Sequence, residues 1–178
     1  MVPNPSIPRR GADTGRVAGA KSASVVSVTS RVAARWHSAV ERMVFFNEYQ
    51  QSVRPRVAAA VERYGTLQLT DEKGNLRLRL ERLPDAQVLF AVLPDGQPIG
   101  CVVYSRDVPE RFLVLHVAVE PAYTTRGQLA AGEVLLDLVA AVRAAARRTR
   151  GVERVDLLYT AGRMRSLGVR TPHPADAG

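Results

Sequence analysis

At 178 residues and 46% hydrophobic composition, the chain is long enough to bury one core, which favours a single domain with a tail. The formal charge of +8 permits an anionic partner, but apart from Lys21 and Lys73 every basic residue is arginine, a bias that genomic base composition also produces. No window approaches the ~20 apolar residues of a membrane span, the first residues carry arginines without an apolar signal core, and a single cysteine, Cys101, excludes an internal disulfide.

Residues 1–23 mix Pro3, Pro5, Pro8, Gly11, Gly15 and Gly19 with Arg9, Arg10, Arg16 and Lys21 against the lone acid Asp13, which reads as a flexible basic arm. The arm is either a solvated tail or a segment that orders on protein assembly partners or nucleic acid. Residues 24–170 form the expected domain, and 171–178 a polar tail. Ala23–Thr29 is β-branched and predicts a short strand, after which Ser30 is placed to cap a helix from Arg31 to about Phe46. Val32, Trp36, Val40, Met43 and Val44 would line one face of that helix. A second helix would carry Val57, Ala60, Val61 and Tyr64 at core spacing and stop at Gly65.

Alternating strands at Thr66–Thr70 and Leu76–Leu83 flank a turn-rich Asp71–Asn75, and Val88–Leu93 and Ile99–Tyr104 flank Pro94-Asp95-Gly96-Gln97, so two hairpins are expected. A further strand spans Arg111–Val119. Pro121 ends it, and a polar turn at Arg126-Gly127-Gln128 leads into a helix with Leu135, Leu138, Val139 and Val142 at helical spacing, running to about Arg148. Such a strand–loop–helix junction points unpaired backbone N–H groups at whatever lies above the loop, which favours a phosphate. Gly151 breaks the helix, Val155–Tyr159 makes another strand, and Ala161–Leu167 reads as a short final helix. The pattern predicts an α+β domain with a mostly antiparallel mixed sheet flanked by helices.

His37, His116 and His173 lack the spacing of a known metal set, and Cys101 has no local base, so neither metal nor thiol chemistry is expected. Cys101 reads as core and His37 as surface. The acidic pair Asp71-Glu72 falls in a turn and reads as solvated.

The motifs then resemble a known superfamily. Val119-Glu120-Pro121-Ala122-Tyr123, followed by Arg126-Gly127-Gln128-Leu129-Ala130-Ala131, is similar to the V-x-P-x-Y strand end and R/Q-x-x-G-x-G/A loop of the GNAT acetyltransferases. Leu129 stands at the usual central glycine, and Thr124-Thr125 lengthen the approach. Asp95-Gly96-Gln97-Pro98-Ile99-Gly100 is similar to the hairpin before the family's third strand, and Arg163–Val169 echoes its late L-Y-x-x-L-G-F segment, with Met164 at the tyrosine.

The resemblance implies an acetyl-CoA-dependent N-acetyltransferase fold over about Val25–Val169. It implies that the backbone of Val117 and Val119 holds the pantetheine arm. Arg126 and the N–H groups of Gly127, Gln128, Leu129, Ala130, Ala131 and Gly132 would then receive the pyrophosphate. Glu120 and His116 share a strand face and are the candidate bases, and Tyr159 is the substitute acid for the leaving thiolate. A V-shaped gap between the strands at Leu113–Val119 and Val155–Tyr159 would make room for a pantetheine arm, whereas a closed gap or Leu129 plugging it would favour an inert fold. The implied function is acetyl transfer to an amine, in the cytoplasm and without a membrane. The alternative is a catalytically inactive GNAT-fold component of a larger assembly, such as a virion, anchored by its arm. Nucleic-acid binding rests on charge alone.

Overall fold

The computed structural model describes residues 26–46, 58, 60–124, 127, 133–158 and 165–169. The predicted arm, the tail and most of the 125–132 loop lie outside them. One six-stranded sheet organises the described chain, in the order β1 (Ser27–Thr29), β4 (Gln87–Val92), β5 (Pro98–Val108), β6 (Arg111–Val119), β7 (Arg154–Leu157), β8 (Arg165–Gly168). Every neighbouring pair is antiparallel except β6 and β7, which are parallel and joined through the helix α3 (Val134–Arg148). A parallel pair needs such a crossover because its strands start at the same end of the sheet.

Both faces of the sheet are covered. On one lies α3, whose buried stripe is Val134, Leu138, Val142 and Ala146, a strict i, i+4 series packed on Val102, Tyr104, Phe112 and Val114. Leu135, expected in the core, is 48% exposed, because the stripe runs one residue earlier. Gly100 lets the helix sit close: a Cβ there would fall 2.9 Å from Val134 Cγ1 and 3.1 Å from Leu138 Cδ1.

The other face is covered by α1 (His37–Phe45), by the helical residues 60–64 of α2, and by a separate hairpin of β2 (Leu67–Glu72) and β3 (Asn75–Leu80). Val40, Met43 and Val44 pack there with Leu76, Leu78 and Leu80, whose period-two alternation was legible in the sequence. The hairpin turns on Lys73 and Gly74, both at positive φ, the geometry of a two-residue turn that matches strand twist.

Three expectations need correction. Ser30 does not cap a helix. Val32 and Ala33 stay extended because the hairpin takes their backbone: Leu76 N–H donates to Val32 O at 2.8 Å, Ala34 N–H donates to Gly74 O at 2.9 Å, and α1 begins only at His37 after a 3-10 turn. Val61 lies 39% exposed, whereas Ala60 and Tyr64 are buried. The final helix is absent over residues 165–168, which pair antiparallel with β7, Leu167 opposite Val155. An edge strand at β7 offers a ladder of backbone partners, and that outweighs the weak helical pattern. Cys101 is fully buried, and burial pushes its thiol up to about 12, so it is an inert core residue. His37 is exposed. Among the described residues no helix is long and apolar enough to cross a membrane.

Candidate active site

The site grows from one irregularity in β6. Pairing with β5 runs regularly from Gly100↔Val119 to Val103↔His116 and then jumps to Tyr104↔Val114, so Leu115 is an extra residue, a β-bulge. A bulge shifts the alternation by one. Leu113 faces α1 and Val114 faces α3, and then Leu115 and His116 both border the α1/α2 side. Beyond the bulge the alternation resumes, with Ala118 on the α1 side and Val117 and Val119 against α3. Had the alternation run unbroken through Leu115, His116 would have faced α3.

The described ladder between β6 and β7 stops just short of the bulge. Their parallel register covers Arg111↔Arg154 to Val114↔Leu157, Leu158 N–H donates to Val114 O at 3.1 Å, and no described residue of β7 pairs with β6 past the bulge. The Arg111 end of this pair is held by charge. The Arg111 guanidinium bonds both oxygens of Asp107, Nε donating to Oδ1 at 2.9 Å, and reaches Asp156 Oδ2 at 3.3 Å, while Arg154 lies 3.5 Å from the same Asp156 oxygen. These contacts hold the Arg111 pKa above its ordinary value, chiefly through the hydrogen bond to Asp107.

Beside the bulge, on the α1/α2 side, is a cavity of about 330 Å³. Its walls are Val44 and Phe45 of α1, Ala60, Val61 and Tyr64 of α2, and residues of the hairpin, with Leu115 and His116 at β6. No Asp, Glu, Lys or Arg is among its described lining residues. His116 is buried, and desolvation lowers its pKa to about 4, so near neutral pH it is an uncharged imidazole. Burial raises the Tyr64 hydroxyl pKa, opposed by the charge of Arg63, so that hydroxyl keeps its proton.

Of the residues singled out in the sequence, His116 lines the cavity, and Glu120 directly follows β6, its N–H donated to Ile99 O at 2.9 Å. Val117 and Val119 lie on β6 beyond the bulge. Gly127 folds back on the 3-10 turn Pro121–Tyr123: its N–H donates to Thr124 O at 2.9 Å, and a Cβ there would lie 2.2 Å from Ala122 O. That N–H is therefore used inside the loop. Tyr159, Arg126, Gln128, Leu129, Ala130, Ala131 and Gly132 lie outside the described residues, as does Met164. Sequence reasoning missed Tyr64 and Leu115 as site residues. Nothing in a run of apolar strand residues marks which one is extra. Among the described residues no three His, Cys, Asp or Glu side chains gather as a metal group.

An antiparallel meander entering a bulged strand, then a crossover helix and a parallel strand, is the element order that the resemblance to the GNAT acetyltransferases implied. No family model matches the chain, and no curated protein does. Solved structures do. The chain is similar to nourseothricin acetyltransferase at 24% identity, over 53% of this chain and 61% of that one, with a TM-score of 0.34. It is similar to N-acetylglutamate synthase from Neisseria gonorrhoeae, complexed with coenzyme A and N-acetyl-glutamate, at 16% identity over 75% of this chain, with a TM-score of 0.42. A GNAT-family protein from Desulfovibrio desulfuricans matches at 16% identity, over 75% of this chain and 72% of that one, with a TM-score of 0.37. The chain spans about a quarter of the synthase's length, and at these scores the likenesses decide neither substrate nor reaction.

Proposed function

We propose that the chain transfers an acetyl group from acetyl-CoA to an amine. The observation that supports this most is the bulge at Leu115: among the described residues the ladder of β6 with β7 runs only to Val114, and in this reading the backbone at Val117 and Val119, beyond the bulge, receives the pantetheine arm. An extended pantetheine arm carries amides at the spacing that a strand edge accepts, by the same hydrogen bonding that adds a strand to a sheet. The residues present fit that group at the edge. The Gly127 N–H is engaged by Thr124 O, so in this reading the pyrophosphate falls to Arg126 and to residues 128–132, which precede α3 in the chain.

Bound acetyl-CoA supplies a thioester carbonyl activated toward attack by nitrogen. The chain's part is to align the amine, remove its proton and give one to the departing thiolate as the C–N bond forms and the C–S bond breaks. Glu120, half-buried just after β6, is the proton acceptor in this reading, directly or through water. His116 serves as an uncharged hydrogen-bonding group, since with a pKa near 4 it holds a proton poorly. Tyr159 is assigned the acid role.

Titration calorimetry with acetyl-CoA, followed by thiol release in the presence of amines, tests the reading. One-to-one binding and amine-dependent thiol release are expected. No binding at millimolar acetyl-CoA would sink it.

A further inference from the structure

The cavity beside the bulge points to the kind of amine. This step rests on the acetyl-transfer reading, because it takes the cavity to be where the acceptor's body lies. Three observations converge. The lining carries no charged side chain among the described residues, and its polar groups are limited to the neutral imidazole of His116, Thr66, Tyr64 and the Gly65 backbone. A second positive charge on the acceptor, or a carboxylate, would there be desolvated with no partner, at a cost that excludes it. The volume, about 330 Å³, is roughly twice the ~150 Å³ of an apolar cavity known to hold benzene. Tyr64 is 6% exposed, and its hydroxyl is buried with no hydrogen-bond partner among the described residues. A buried, unpaired phenol marks a place where a ligand atom completes the bonding.

We infer that the acceptor is a small primary amine on an uncharged aromatic or branched aliphatic body, which fills the cavity between α1, α2 and the bulge and meets the Tyr64 hydroxyl. Polyamines, amino acids and sugars bearing several amines are excluded by the same lining. The apolar surroundings also help the chemistry, since they favour the neutral, nucleophilic form of the amine over its ammonium. A strong base is then less needed.

Binding is measured by calorimetry on the full chain with 2-phenylethylamine, spermidine and L-glutamate as probes, and with 2-phenylethanol as a body that cannot react. The variants are Val61→Phe, at a partly exposed lining position where a larger ring is tolerated by the fold, and Tyr64→Phe. The expected result is binding of 2-phenylethylamine and 2-phenylethanol, with spermidine and glutamate at least about tenfold weaker. Val61→Phe should weaken both aromatic probes about tenfold or more by filling the space. Tyr64→Phe should weaken 2-phenylethylamine about five- to tenfold, the worth of one neutral hydrogen bond. Equal or tighter binding of spermidine or glutamate overturns the inference, as does unchanged aromatic binding in Val61→Phe. Acetyl-CoA binding without any aromatic binding refutes this inference and leaves the acetyl-transfer reading standing. Aromatic binding without acetyl-CoA binding refutes the acetyl-transfer reading and, with it, the assignment of the bound body as an acceptor.

Discussion

Replacing Arg111 by methionine removes the cation that ties Asp107 of β5 to Asp156 of β7. The Arg111 side chain is 15% exposed and stands between Asp107 and Asp156, whose side chains are 12% and 4% exposed. The substitution leaves two carboxylates in a poorly hydrated place, with Arg154 alone still near Asp156. Removing one partner of a buried ion pair costs about 3–5 kcal/mol. At about 2–4 °C per kcal/mol for a domain of this size, that is a fall in Tm of roughly 6–20 °C. Because Arg154 is 45% exposed and its attraction is screened by solvent, it offsets little of the loss. Calorimetric melts of the single variant and of Arg111→Met combined with Asp107→Leu and Asp156→Leu separate the effects. The triple variant is expected to be more stable than the single one, since no charge is then buried alone. A single variant that loses less than about 1 kcal/mol, or a triple variant less stable than the single, would refute the buried-pair reasoning.

Burial should also make His116 a pH-dependent load on the fold. Its folded pKa of about 4 lies below the ordinary 6.5, so the unfolded chain binds the proton more readily between those values. Stability is then full above pH 6.5, falls as the pH drops, and has lost about 3 kcal/mol by pH 4, a slope that His116→Phe should flatten in urea titrations. Gly100→Val drives a side chain into Val134 and Leu138, and overpacking of this kind costs about 1–3 kcal/mol, read as a lower urea midpoint. Gly127→Ala cannot place its Cβ against the Ala122 and Pro121 carbonyls without shifting the loop. A misplacement of about 1 Å at a binding group costs up to about a hundredfold, so acetyl-CoA affinity should fall about ten- to a hundredfold in calorimetry while Tm barely moves.

Much of the sheet could be read from the chain because its signals are local. Leu76, Leu78 and Leu80 alternate, Lys73-Gly74 and Pro94–Gln97 carry turn chemistry, and Gly65 and Gly151 end helices at positive φ. Failures occurred where tertiary pairing overruled local preference. Val32 and Ala33 are claimed by the hairpin, and Arg165–Gly168 completes a ladder with β7 instead of coiling. The site was half legible. Period two placed His116 and Glu120 together, but the bulge at Leu115 that turns His116 toward α2 depends on register with β5, a non-local quantity. Tyr64 was read as core, as its burial warrants, and only its unpaired hydroxyl and the cavity beside it distinguish it from an ordinary core tyrosine.

The central claim is that β6 past its bulge holds the pantetheine arm, and amide hydrogen exchange tests it most directly. With acetyl-CoA at saturation, the peptide spanning Leu113–Glu120 should exchange more slowly, the gain concentrated beyond Leu115, while β2 and β3 remain unchanged. Saturable binding that leaves that peptide's exchange as it was would contradict the claim.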